Sequence, residues 1–214
     1  MSAIRYIEGM EYGIDTIETR LAVRLGTGLD QPRRTIYISG DIDLPMAHRV
    51  IMALQMLDAE DGDIRIILNS TGGDEEQGYA IYDAITACRN KVVIDGYGEV
   101  LSIAAAIMQA GTVRRLSANA MFMIHNGTAP EYTDLKHDDA IAFGKLLEKK
   151  GRRYHVILSN GSRQPVEVIE EWCKNDHYLL ADEALRDGFC DENPQPHPPQ
   201  GRPAPKRRKK GTPK

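Results

Sequence analysis

The chain has 214 residues, of which 42% are apolar and 27% charged, and a formal charge of −4. That length suits one domain whose core is large enough to need no metal or disulfide staple. No apolar run nears the ~18 residues that point to a membrane span, and the opening "MSAIRYIEGMEYGIDTIETR" has acidic residues where a signal peptide carries an apolar block.

The predicted elements follow in chain order. Residues 1–33 read as an irregular N-terminal segment. "TIYISG" (35–40) is a short strand closed by Gly40, and "DLPMAHRVIMALQMLDAE" is a helix with Met46, Val50, Ile51, Leu54 and Leu57 at helical spacing. "DIRIILNS" (63–70) has the nearly continuous apolar centre of a buried parallel strand. The turn "STGGD" leads into a helix from about Glu75 to Cys88, and "KVVIDGYG" is another buried strand. "LSIAAAIMQAG" is a short apolar helix stopped at Gly111, and "TVRRLS" and "AMFMIH" are two more strands. Helices are expected from about Asp134 to Leu158 and over "QPVEVIEEWCKN", with Pro165 near the second start. "ADEALRDGFCD" closes the ordered part as a small helix, a glycine stop and a final strand. Alternation of strand and helix predicts an α/β fold, with a largely parallel sheet flanked by helices.

The last stretch, residues 193–214, is Pro-rich and basic and is expected to be disordered. From residue 194 onward it holds seven of the 27 basic residues and no acidic one, so the preceding 193 residues carry a net charge of −11. Its run Lys206, Arg207, Arg208, Lys209 and Lys210 offers the only nucleic-acid or polyanion contact, set against the blander reading of a solubilising tail. Cys88, Cys173 and Cys190 are odd in number and unrelated in spacing, which excludes a fully paired disulfide framework and a CxxC zinc pair. A cytoplasmic protein without a bound metal is the expectation.

Three segments carry candidate chemistry. Gly72 and Gly73 follow a buried strand and precede a helix, where glycines permit φ > 0 and leave N–H groups uncovered for a ligand oxygen. Most such turns use glycine for steric reasons alone. Ser102 begins the apolar helix, as an N-cap or as a nucleophile facing helix N-terminal amides. His125 ends the strand "MFMIH", and Asp176 lies in "KNDHYL", read as a helix-to-helix junction. Each has an ordinary structural reading, a backbone-bonded histidine and a helix cap. Together they form a pattern.

Taken jointly, these segments resemble the Clp protease proteolytic subunit family (ClpP), serine peptidases of the crotonase-like fold built from repeated β-β-α units. The resemblance spans roughly residues 34–191. "RRTIYISGDID" is similar to the family's first core strand, "ILNSTGGDEEQGYAIYDAI" to its asparagine-serine-proline-glycine-glycine block, and "GYGEVLSIAAAIMQAG" to its nucleophile block. "MFMIHN" is similar to the catalytic-histidine strand and "NDHYLLADEALRDGFCDE" to the closing aspartate segment.

The resemblance implies a peptidase domain over residues 34–192, with Ser102 as nucleophile, His125 as general base and acid, and Asp176 orienting the imidazole. The N–H groups of Gly73 and Ile103 become the oxyanion hole, and Gly72, Asp74 and Asn126 flank the peptide substrate. It further implies a homo-oligomer of heptameric rings, unfolded polypeptide substrates and a partner AAA+ unfoldase that consumes the ATP, so that this subunit holds no cofactor. The sequence departs from the family at Thr71, Val100, Leu101 and Asp74, and "NGTAPEYTDLKHDD" lacks the glycine-rich strand of the inter-ring handle. These departures leave room for a catalytically impaired ring or regulatory subunit, or a specialised processing protease acting, for instance, on viral capsid proteins. An acyl-CoA enzyme shares the fold without needing the Ser/His/Asp set.

Overall fold

The computed structural model describes residues 21, 24–128 and 136–194. The N-terminal 20 residues, the basic tail beyond Pro194 and the expected start of the long helix at Asp134 lie outside them. Strands β1 (Leu29–Asp30), β2 (Thr35–Ser39), β3 (Ile64–Ser70), β4 (Val92–Leu101), β5 (Val113–Leu116), β6 (Met121–Ile124) and β7 (His177–Leu180) form one sheet in the order β1-β2-β3-β4-β6-β7, with β5 also paired to β4. The links β2-β3-β4-β6 and β4-β5 are parallel, and the outer links β1-β2 and β6-β7 are antiparallel. The sheet is flanked by helices, among them α1 (Leu44–Asp58), α2 (Glu75–Thr86), α3 (Ile103–Gln109), α4 (His137–Ser162), α5 (Val166–Trp172) and α6 (Ala181–Arg186).

Local sequence explains where the first helices start. The Asp43 carboxylate accepts from Met46 N (2.8 Å) and Pro45 occupies the first turn of α1, while Asp74 accepts from Gln77 N (3.1 Å) at the start of α2. Every residue of α3 is buried. It lies in a core with Ile36, Ile38, Ile64, Ile66, Leu68, Ile94, Phe122 and Phe189, where each large side chain contributes roughly 1.5–3 kcal/mol on burial.

The structure differs from the sequence reading in five places. Gly98 does not end β4. It adopts φ +57 in a bulge, where the register moves from Leu68↔Gly96 to Ser70↔Val100, and Asn69 Oδ1 accepts from Glu99 N (3.1 Å). The strand therefore continues to Leu101, pairing β5 with its first half and β6 with its second. The apolar helix begins at Ile103, two residues later than its composition suggests. "HYLL" is a strand rather than part of a helical junction, with Leu179 buried and Tyr178 and Leu180 exposed, and four residues are too few for their alternation to register as a pattern. No final strand follows Gly188: Phe189 and Cys190 are buried, and Glu192 forms a single bridge to Arg115. The segment before residue 34 is not wholly irregular either, since it supplies β1 and a 3-10 turn over Gln31–Arg33. Among the described residues no helix is long and apolar enough to cross a membrane.

Candidate active site

Three strand ends build the site. In the parallel β4–β6 pair Leu101 lies opposite Met123, so Ser102 and His125 leave the sheet at the same end. In the antiparallel β6–β7 pair Ile124 lies opposite His177, and one further step of the same register sets His125 opposite Asp176. Residues distant along the chain thus meet through strand pairing alone. Ser102 Oγ lies 2.8 Å from His125 Nε2, and His125 Nδ1 lies 3.2 Å from Asp176 Oδ1. With its Nδ1 proton facing the carboxylate, the imidazole presents an Nε2 lone pair to the serine hydroxyl, a tautomer assigned from these neighbours. Asp176 is exposed, with 57% of its side chain open to solvent, and His125 is half-buried.

Ser102 has φ 56 and ψ −127, a left-handed conformation that costs a non-glycine residue about 1–3 kcal/mol and persists only when its surroundings impose it. They do so from both sides. Ser102 N donates to Met123 O (2.9 Å), while the Ser102 carbonyl accepts from Ala105 N (2.9 Å) and from the Tyr154 hydroxyl (2.9 Å). Ser102 occupies the N-cap position of α3, but its side chain makes no capping bond there. Val100 and Leu101 are buried, while Ser102 is half-buried.

The glycine turn lies against this elbow. Gly72 has φ +103, and a Cβ there would stand 2.8 Å from Ser102 Cβ. Gly73, at φ +147, lies against Ile42: Ile42 N donates to Gly72 O (2.8 Å) and Asp74 N donates to Ile42 O (2.8 Å). In such a parallel bridge the N–H of Gly73 itself points to the opposite edge. Ser70 Oγ steadies the turn by accepting from Gly72 N (3.0 Å). Ile103 N–H opens α3 directly after the serine. Of the two main-chain donors that the resemblance implies, Ile103 adjoins the serine and Gly73 follows the glycine that packs against it.

The remaining expected substrate residues have structural engagements. The Asp74 side chain caps α2, and Asn126 Oδ1 lies 2.8 Å from His155 Nε2 while its N–H donates to Cys173 O (2.9 Å). Burial pulls the His155 imidazole below its ordinary value. Glu76 is held ionised, its carboxyl lowered by hydrogen bonds from Lys150 (2.9 Å) and Arg153 (3.0 Å), a link that ties α2 to α4. Among the described residues no cluster of three or more His, Cys, Asp or Glu side chains is placed to hold a metal ion.

Sequence reasoning missed Tyr154, Ser70 and Gly78. A Cβ at Gly78 would come within 2.1 Å of Ile103 Cγ1, so this glycine lets α2 close over the start of α3. An unexplained glycine within a helical pattern was its visible signal. Tyr154 had none, because a tyrosine on the apolar face of a helix reads as core.

Comparisons with known proteins identify the family. The Clp protease family model matches residues 28–194. The "ATP-dependent Clp protease proteolytic subunit" of Lactococcus lactis subsp. cremoris is 30% identical over 163 residues, covering 74% of this chain and 82% of that protein. The proteins of the same name from Streptococcus salivarius and Streptococcus thermophilus are 32% and 33% identical over 168 residues, covering 74% of this chain and 83% of each. Strand order, the serine elbow and these matches lead to one conclusion: the chain belongs to the Clp protease family, as a serine-type peptidase subunit.

Proposed function

We propose that Ser102, His125 and Asp176 are the catalytic triad of an endopeptidase that cuts unfolded polypeptides inside an oligomeric chamber. The observation that carries this reading is the continuous run of contacts from Ser102 Oγ to His125 Nε2 (2.8 Å) and from His125 Nδ1 to Asp176 Oδ1 (3.2 Å). A serine hydroxyl attacks only when a neighbour removes its proton. His125 Nε2 takes that proton as Oγ bonds to the scissile carbonyl carbon, and Asp176 favours the imidazolium that forms. The carbonyl oxygen becomes an oxyanion held by the N–H groups of Gly73 and Ile103, each donor of this kind being worth about 10²–10³ in rate. The intermediate collapses, the C–N bond breaks, and the imidazolium protonates the departing amine. Water, activated by the same imidazole, then releases the acyl group from Ser102.

The substrate lies as an extended strand along the turn at Gly72, Gly73 and Asp74 and the chain at Asn126, held by main-chain hydrogen bonds that select little by sequence. An open site of that kind would be hazardous to its host. Family membership supports enclosure within a homo-oligomer of heptameric rings, fed by an AAA+ unfoldase that spends the ATP, with no cofactor held by this chain. Three free cysteines fit a reducing, cytoplasmic setting. The deciding experiment combines Ser102→Ala with a fluorophosphonate probe. The parent is expected to label at Ser102 and to cleave peptides, and the variant to do neither while keeping its melting temperature. A variant that cleaves as fast as the parent overturns the assignment.

A further inference from the structure

We propose that Tyr154 is a positioning residue for the oxyanion hole, acting through the planar peptide that joins Ser102 to Ile103. The inference rests on the reading of the site given above. The Tyr154 hydroxyl donates to the Ser102 carbonyl oxygen (2.9 Å), and that carbonyl belongs to the same peptide unit as the Ile103 N–H. A peptide is planar, with its C=O and N–H pointing in opposite directions. Fixing the oxygen therefore fixes the direction of the proton. A donor on the carbonyl also polarises the amide, which makes its N–H a stronger donor at the far end.

Two features separate this from ordinary satisfaction of a buried acceptor. The Ser102 carbonyl already accepts from Ala105 N (2.9 Å), so the phenol is a second bond to an oxygen that is not orphaned. And the residue supplying it comes from a different layer: Tyr154 lies on α4, 52 positions along the chain, with only 6% of its surface exposed. Phenylalanine would fill the same volume without needing a partner for a hydroxyl. The strain at Ser102 gives the bond something to oppose, since the φ of 56 turns this peptide away from the orientation it would relax to. The other end of the unit is gripped as well, because Gly78 lets the backbone of α2 close on the Ile103 side chain. Burial drives the phenol well above its ordinary value, with the His125 main-chain N–H pulling weakly the other way, so the hydroxyl remains a donor throughout the working pH range.

The test is Tyr154→Phe, assayed as the assembled protein with a short peptide substrate and a peptide boronic acid, whose tetrahedral adduct on the serine places an oxygen in the oxyanion hole. The expected result is a fall in kcat of about tenfold, part of the loss that follows when an oxyanion donor is removed outright. KM should stay within about twofold, and boronate affinity should fall in step with kcat. The pH–rate profile should keep its shape. Should the phenylalanine variant not assemble, Tyr154→Met, an adaptable filler of the same space, serves the same test. An unchanged kcat in an assembled variant overturns the inference, as does a loss carried by KM alone or a boronate affinity that does not move. A parent protein whose Ser102→Ala variant remains active overturns the site reading itself. A parent active through Ser102 but indifferent to the hydroxyl at 154 overturns only the role of Tyr154.

Discussion

Gly72 and Ser102 approach so closely that a Cβ on the glycine would lie 2.8 Å from the serine Cβ and 3.3 Å from its Oγ. The turn and the elbow are therefore one packed unit, and the glycine is needed twice, for space and for φ +103. Gly72→Ala should destabilise the chain by about 2 kcal/mol from backbone strain alone, and should lower fluorophosphonate labelling of Ser102 by more than tenfold because the hydroxyl must move. Thermal melting and labelling kinetics measured on the same preparation check both; a variant that labels normally would show that the elbow yields freely.

Asp176 is largely open to water, and solvent screens its field at the imidazole. Removing the charge in Asp176→Asn should lower kcat by about 10–100-fold, well short of the ~10⁴ seen where such an aspartate is buried. Steady-state kinetics on a peptide substrate decides it. A loss near 10⁴ would mean that the carboxylate is shielded in the working assembly.

His155 titrates against folding. Burial lowers its folded-state pKa, so the unfolded chain takes up the proton first. The stability tied to this group is fully present above the unfolded value of about 6.5 and is lost as pH falls below it. Melting temperatures at pH 7.5 and 5.5 should drop further in the parent than in His155→Gln, which cannot titrate, the difference amounting to about 1 kcal/mol or less. Equal drops in both proteins would refute this.

Burial pushes the Cys173 thiol up to about 12 and Cys190 to about 11, and raises Cys88 as well. Thiolates are the reactive form, so the folded protein should resist iodoacetamide at pH 8 and keep its peptidase activity, while the denatured chain takes up three equivalents. Mass spectrometry before and after denaturation reads the outcome; rapid alkylation of the native protein together with loss of cleavage would point to a cysteine at the site.

Much of this arrangement was legible in the sequence. Buried strands such as "IRIILNS" and helices such as "MAHRVIMALQML" declare themselves through apolar runs and spacing, and the core order of strand and helix followed from them. Ser102, His125 and Asp176 stand out in the sequence jointly, through the motifs that surround them. Their meeting was harder to see, because it depends on strand register. β7 has four residues, and the bulge at Gly98 disguises the continuation of β4 as a turn. Register is a property of pairs of strands, and neither partner carries it alone. Tyr154 was invisible for a different reason: a side chain that packs and a side chain that also reaches across to a carbonyl have the same periodicity.

Ser102, the nucleophile proposed above, is fastened to a wholly buried helix. Ser102 opens α3, whose seven residues are all shut away from water, and the amides hydrogen-bonded within such a helix exchange their hydrogens only through large openings of the fold. Warming can fray the outer helices while the hydroxyl keeps its address, so within one subunit the chemistry should fail abruptly, at global unfolding, and not by gradual attrition beforehand.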